Sequence, residues 1–202
     1  MKQLLILSGK GGTGKTTIAS AFIKLSKAKK FADCDVDAPN LHLLMNQKSK
    51  PEIKDFHGLD IAKIDDKRCI KCGLCQVHCH FGAILHDIKK DTYKVDTFAC
   101  EGCSVCEYVC PTKAITLHPS LVGDLMLYKD TRIFSTAQLR MGSGNSGLLV
   151  TEVKKEMKTE SIESNLAIID GSPGIGCPVI ASITGVDMVL IVTEPSVSGI
   201  SD

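Results

Sequence analysis

Eight cysteines between positions 69 and 110 constrain this chain more than any other feature. They stand at Cys69, Cys72, Cys75 and Cys79, and again at Cys100, Cys103, Cys106 and Cys110, an offset of 31 residues. Ala83-Ile84 maps onto Ala114-Ile115 at the same offset, and Ile64-Asp65 onto Val95-Asp96. A 53-residue repeat segment, 66–118, has too little apolar mass for a core of its own, so something besides burial must hold it. The cysteines supply that something. A small secreted disulfide scaffold would not also carry the phosphate-binding loop found near the N-terminus. The clustered thiols therefore read as metal ligands in a reducing, cytoplasmic compartment.

That loop is Gly9 to Thr17, GKGGTGKTT. Gly9, Gly14, Lys15 and Thr16 fit the G-x-x-x-x-G-K-[ST] pattern. Leu4 to Leu7 before it is an aliphatic run that predicts a buried strand. Thr16 to Lys27 after it places Ile18, Ala21, Phe22 and Leu25 at helical spacing. Gly9, Gly11, Gly12, Thr13 and Gly14 can bring backbone N–H groups onto phosphate oxygens without side-chain clashes. Lys15 is expected to reach the β and γ phosphates and the Thr16 hydroxyl to ligate Mg²⁺, with the helix N-terminus facing the anion. Two acidic strand ends follow. Asp33, Asp35 and Asp37 close a predicted strand at Phe31 to Asp33, and their mutual repulsion calls for a cation or ordered water. Asp170 closes Leu166 to Ile169, the place from which such folds hold Mg²⁺. Gly171, Gly174 and Gly176 give the next loop freedom to move between nucleotide states.

Further elements are predicted along the chain: a short helix at Ala38 to Met45 stopped by Asn46, a surface loop at Asn46 to Phe56, and a strand at Leu59 to Ile64. Strands at Leu125 to Tyr128 and Thr131 to Phe134 should flank a turn, and a helix should cover Leu148 to Met157. Val179 to Ile183 reads as helix, Met188 to Val192 as strand, and TEPSVSGISD as a polar turn. Strand, loop, helix, strand at the start is the opening of a parallel α/β domain. The expected organisation is one discontinuous domain, 1–65 and 119–202, with 66–118 inserted. The chain of 202 residues carries 24 basic and 23 acidic side chains, net +1, so it lacks the basic field of a nucleic-acid or membrane-surface binder. No apolar run approaches the ~20 residues of a membrane helix.

The N-terminal loop resembles that of the deviant Walker A ATPases of the MinD and ParA type, marked by Lys10 directly after Gly9. The matching residues are Lys10, Lys15, Thr16 and Thr17. The resemblance covers nearly the whole chain outside the insert and implies a mostly parallel P-loop NTPase sheet flanked by helices. It implies ATP and Mg²⁺ as ligands and a homodimer in the ATP state, in which Lys10 crosses to the partner's phosphates. Asp33, Asp35 and Asn40 resemble the family's first switch, with Asp35 placed to orient the attacking water. Asp170 and the glycines after it resemble the second, and Thr193-Glu194-Pro195 the segment after a late strand. Family members usually continue past such a segment with more strands, helices and part of the base pocket, so the chain is expected to be C-terminally incomplete.

The cysteine runs, with Pro111 closing the second, resemble the bacterial two-cluster ferredoxins. This implies a small α+β insert with two [4Fe–4S] clusters, each taking its fourth ligand from the other repeat. One set is then Cys69, Cys72, Cys75 and Cys110, and the other Cys79, Cys100, Cys103 and Cys106. Two zinc ions are the competing reading, although zinc sites usually pair separate CxxC knuckles. His80 stands where the pattern has proline. Cys34 and Cys177 read as small hydrophobes. The expected function is ATP-gated electron transfer to a partner protein. The alternatives are an ATP-dependent cluster carrier delivering to an apo-protein, a partitioning ATPase, and a redox module without catalysis.

Overall fold

Lys2–Leu7 forms a strand whose alternation sets the layering of everything around it. Leu5 and Leu7 enter one buried cluster, and Ile6 enters another on the opposite face. The computed structural model describes residues 1–47, 49–159 and 162–201; residues 48, 160, 161 and 202, within the stretches expected to build the discontinuous domain, lie outside the described residues. In chain order the elements are β1 (Lys2–Leu7), α1 (Lys15–Ser26), β2 (Lys30–Asp33), α2 (Leu41–Met45), β3 (Glu52–His57), β4 (Ile61–Ile64), α3 (Leu74–Val77), β5 (Ile84–Asp87) and β6 (Thr92–Val95). There follow α4 (Val105–Tyr108), β7 (Ile115–His118), β8 (Leu121–Lys129), β9 (Ile133–Leu139), α5 (Ser146–Thr159), β10 (Leu166–Asp170), α6 (Cys177–Ile183), β11 (Met188–Ile191) and α7 (Val197–Ser201). The chain divides into one unit of Met1–Phe56, Gly123–Met141 and Asn145–Asp202, and a second of His57–Val122 with Gly142–Gly144.

The first unit is built on a seven-stranded sheet in the order β11-β1-β10-β2-β9-β8-β3. β11, β1, β10, β2 and β9 run parallel, and β8 turns back antiparallel to β9. The central strands are apolar on both faces, as a parallel sheet covered on both sides requires. Leu5, Ala32, Ala167 and Ile169 pack with Leu149, Val150, Val153 and Met157 of α5. Ile6, Phe31 and Ile168 pack with Ala19 and Ile23 of α1 and Leu41 of α2, where Phe31 also stacks on Phe134 at 4.9 Å. Buried Lys154 donates to the carbonyls of Ala181, Ser182 and Thr184, satisfying acceptors that the last turn of α6 leaves unpaired. This is the α/β class expected from the sequence, a mostly parallel sheet flanked by helices.

Local expectations needed correction in four places. The stretch from Asn46 to Phe56 is not all loop, because it contains β3, an exposed edge strand whose pairing rests on backbone rather than on an apolar face. The helix expected from Ala38 starts only at Leu41, because the backbone of 35–41 first wraps around a carboxylate. α1 forms as predicted but buries Lys15, Ala19, Ser20 and Ile23, leaving Leu25 84% exposed. TEPSVSGISD is not only turn, since it includes the short α7.

The second unit repeats in three dimensions what it repeats in sequence. α3 and α4, β4 and β6, and β5 and β7 are related by the same 31-residue offset. Left-handed backbone recurs at matched positions: Lys71 and Gly102, Gly73 and Ser104, Gly82 and Lys113. Each two-stranded antiparallel sheet takes one strand from each copy, β4 with β7 and β5 with β6. The two halves are therefore interleaved. Their shared core is Ala62, Ile84, Tyr93 and Ile115 with Cys75 and Cys106, a small apolar mass in which thiols are structural members.

Candidate functional site

In the first unit, β1 delivers the chain to a turn that begins α1 with no side-chain cap. Gly12 and Gly14 sit at φ 84° and 86°, a region that a residue with a Cβ enters only with strain. The turn lines a cleft of about 570 Å³ with Gly11, Gly12, Thr13, Gly14, Lys15, Thr16 and Thr17, joined by Asp35 and Asn40 from the loop after β2. Ser8 and Pro173 also line it, and sequence reasoning had not singled them out. Gly9 is not among the lining residues.

Beneath the cleft, Lys15 Nζ lies 2.5 Å from Asp170 Oδ1, with side-chain exposures of 7% and 0%. Asp170 and Asp33 are register partners on β10 and β2, so two buried carboxylates share one lysine. Asp33 does not face the cleft. Its Oδ1 accepts the N–H of Asp35 at 3.1 Å, and its Oδ2 accepts those of Asn40 at 3.0 Å and Leu41 at 2.9 Å. The repulsion expected among Asp33, Asp35 and Asp37 is thus relieved at Asp33 by backbone donors, while Asp37 is exposed. Burial and the neighbouring Asp170 charge push the Asp33 carboxyl up to about 7, against the opposing pull of those N–H groups and Lys15. Burial likewise raises Asp35 and Asp170, with Lys15 pulling both back and the Thr16 hydroxyl also favouring charged Asp170.

Asp170 Oδ2 and Thr13 Oγ1 are buried and meet no hydrogen-bond partner among the described residues. An unsatisfied carboxylate oxygen on Asp170, with the Thr16 hydroxyl lining the cleft above it, is an oxygen donor set of the kind a hard divalent cation takes, so these residues fit Mg²⁺. Lys10 points elsewhere: its Nζ is 3.1 Å from Glu194 and 3.5 Å from Ser198 of the same chain. Cys34 is fully buried below the cleft, its thiol pushed far up by burial, and the Ser172 hydroxyl donates to its carbonyl. Cys177 opens α6 and is exposed.

The second unit has two thiol-lined cavities with about 360 and 330 Å³ of space between protein atoms. Cys79, Cys100, Cys103 and Cys106 line the first; Cys69, Cys72, Cys75 and Cys110 line the second. Each set joins three cysteines of one repeat to the last cysteine of the other, a consequence of the interleaved strands. Backbone N–H groups point at those closing thiols, from Ala83 to Cys79 Sγ at 3.3 Å and from Ala114 to Cys110 Sγ at 3.2 Å. The Thr112 hydroxyl lies 3.7 Å from Cys110 Sγ. Burial raises the Cys110 thiol, but the Ala114 N–H and the Thr112 donors outweigh it and hold it below the ordinary value. Burial wins at Cys106, pushed up to about 11, and at Cys75. Four convergent sulfurs with amide donors aimed at the closing thiol fit an iron–sulfur cluster. His80 is exposed and its ring meets that of Phe81 edge-on, with centroids 5.6 Å apart.

Residues 62–117 match the family model of the 4Fe-4S dicluster domain, which confirms the iron–sulfur character expected of the insert. Over nearly its whole length the chain also matches a protein of Methanocaldococcus jannaschii named Uncharacterized protein MJ0578, at 34% identity over 99% of this chain and 70% of that protein. The chain belongs to the same family as that protein. A second relative from the same organism, Uncharacterized protein MJ0579, is 30% identical over 100% of the chain and 74% of its own length. Pyruvate synthase subunit PorD of M. jannaschii is 40% identical over 26% of this chain and 60% of that subunit. Among solved structures, the septum site-determining protein MinD complexed with Mg-ADP from Pyrococcus horikoshii covers 99% of this chain at 17% identity and a TM-score of 0.46. The chain spans 60% of the length of that structure. No helix among the described residues is long and apolar enough to cross a membrane.

Proposed function

We propose that this family member is an ATP-hydrolysing iron–sulfur protein that couples its nucleotide state to electron transfer to a partner protein. The observation that carries the reading is the presence in one chain of a glycine-turn cleft over a buried lysine–aspartate pair and of two cavities each lined by four thiols. In the cleft, backbone N–H groups of Gly11 to Thr16 bind phosphate oxygens, and Lys15 leaves Asp170 for the phosphates. Thr16 and the unsatisfied Asp170 oxygen would hold Mg²⁺, which supplies charge neutralisation at the phosphates. Asp35, half-buried at the lip, orients the attacking water. Lys10, released from Glu194, acts across a dimer on the partner's nucleotide. Turnover is slow until a partner completes the site.

The four-cysteine sets would hold two [4Fe–4S] clusters, which would supply one-electron redox chemistry. Their thiolates suit a reducing compartment such as the cytoplasm. The likeness to PorD, by its name a subunit of pyruvate synthase, supports a place for the cysteine-rich unit within a larger assembly. The loops after Asp33 and Asp170 border the cleft through Asp35, Asn40 and Pro173, and they would transmit the coupling. The 202 residues match 70% of the length of MJ0578.

The test is anaerobic reconstitution followed by iron and sulfide analysis and ATP hydrolysis with and without dithionite. About eight irons, as two four-iron clusters require, with hydrolysis that depends on redox state, supports the coupling. A second reading, ATP-dependent cluster delivery, is favoured by Cys72 and Cys103, one exposed ligand in each set. Transfer of iron and sulfide to an apo-ferredoxin, faster with ATP, would select it.

A further inference from the structure

The two thiol cavities are built by one repeat and yet differ at equivalent positions. Thr112 corresponds to Phe81, Ile70 to Glu101, and Tyr93 to Ala62, and each of these residues lines its own cavity. The cavity closed by Cys110 therefore has a hydroxyl donor against its closing sulfur and an isoleucine where the other has a carboxylate. A cluster-bound thiolate carries no proton, so the Thr112 hydroxyl can only donate to Cys110 Sγ. Ala114 N–H donates to the same sulfur. The cavity closed by Cys79 has the matching amide from Ala83 but a phenyl ring in place of the hydroxyl. Its Ser104 is exposed and donates to no cysteine among the described residues.

Reduction adds negative charge to a cluster already negative. Hydrogen bonds to its sulfurs stabilise the reduced form, and a nearby carboxylate destabilises it. Both differences act in the same direction. We propose that these neighbours order the two clusters in potential, so that an electron settles in the cage of Cys69, Cys72, Cys75 and Cys110. Thr112 is then a positioning residue for electron flow, acting through the Cys110 sulfur. A one-electron donor of low potential loses one electron; the cage closed by Cys79 can take it first and is reoxidised when it passes to the cage closed by Cys110. No bond forms or breaks and no proton is required. The ordering rests on the reading that each cavity holds a four-iron cluster.

The test is an anaerobic redox titration of the reconstituted full chain, followed by electron paramagnetic resonance. Two resolved one-electron steps are expected. Thr112→Val should lower the upper step, changing its reduced-to-oxidised ratio at fixed potential about tenfold (about 59 mV), and leave the lower step unmoved. Thr112→Ser should restore it. Glu101→Gln, at an exposed side chain, should raise the lower step alone. A single unresolved wave in the unmodified protein, or variants that shift the opposite step or neither at unchanged iron content, would overturn the ordering. Fewer than about eight irons in the unmodified protein would instead overturn the two-cluster reading, and the ordering with it.

Discussion

Lys15 reaches down from the glycine turn to Asp170 at the end of β10, and the two make a buried ion pair 2.5 Å long. Removing one partner of such a pair leaves an uncompensated charge. Lys15→Met should destabilise the nucleotide-free protein by about 3–5 kcal/mol, less if Asp170 responds by taking up a proton. Asp170→Asn should cost less, because it also ends the repulsion between Asp170 and Asp33. Urea unfolding orders the two variants, and calorimetry with ATP and Mg²⁺ should show binding lost in both.

Asp33 makes stability depend on pH. Its folded carboxyl titrates near 7, against an ordinary 3.8, because burial and the Asp170 charge oppose ionisation. The native state therefore holds a proton that the unfolded chain releases. The stability from this proton is complete below about 3.8, shrinks as pH rises, and is gone above about 7. Asp35 and Asp170 are raised too and act in the same sense. Urea midpoints of the nucleotide-free protein should fall between about pH 5 and about pH 8, and Asp33→Asn should flatten that slope. Because Mg²⁺ favours the ionised form of the pair, binding of the Mg²⁺ complex near pH 7 should release protons, measurable in buffers of different ionisation enthalpy.

Lys10 should matter to turnover and hardly at all to folding. Its bond to Glu194 is a solvent-exposed pair, the kind worth under about 1 kcal/mol. Lys10→Ala should leave the melting temperature nearly unchanged. Hydrolysis should fall about 10²-fold, as when one donor to a developing charge is removed. Equal hydrolysis in variant and parent would remove Lys10 from the reaction.

The closing cysteines predict a crossed pattern of loss. Cys110→Ala should remove the signal of the cluster bound to Cys69, Cys72 and Cys75, and Cys79→Ala that of the cluster bound to Cys100, Cys103 and Cys106. Combining each substitution with Thr112→Val separates the two. With Cys79→Ala the Thr112 effect remains, and with Cys110→Ala it disappears.

Cys34 and Cys177 should part company under alkylation. Cys177 is exposed, whereas Cys34 is buried with its thiol pushed far up. Iodoacetamide should label Cys177 in the folded, cluster-loaded protein and reach Cys34 only after unfolding.

The sheet's centre was legible because Leu4 to Leu7 and Leu166 to Ile169 are uninterrupted aliphatic runs, which only strands buried on both faces need. β3 was not, because EIKDFH is exposed almost throughout and has no apolar alternation to betray it. The buried face of α1 could not be read from its spacing for a related reason. Phe22 and Leu25 are as apolar as Ile23, and which of them turns inward is decided by the sheet beneath. At the cleft, spacing alone picked out the residues of the glycine turn. It could not tell that Asp33 would serve its own loop's backbone, since a carboxylate's direction leaves no trace in the order of residues. Thr112 could have been noticed by laying the repeats side by side, where a hydroxyl faces a phenyl ring.

The interleaving of the repeats has a consequence for how such a unit can exist at all. Half of it alone would present three thiols for one cluster, a fourth thiol turned toward a cluster it cannot build, and unpaired β-strand edges, and could be completed only by meeting another half. At ordinary dilution that meeting is a bimolecular event. Joining the halves by a few residues between β5 and β6 makes it intramolecular, at an effective concentration no free fragment would reach. Metal loading then depends on the chain and not on how much of it is present.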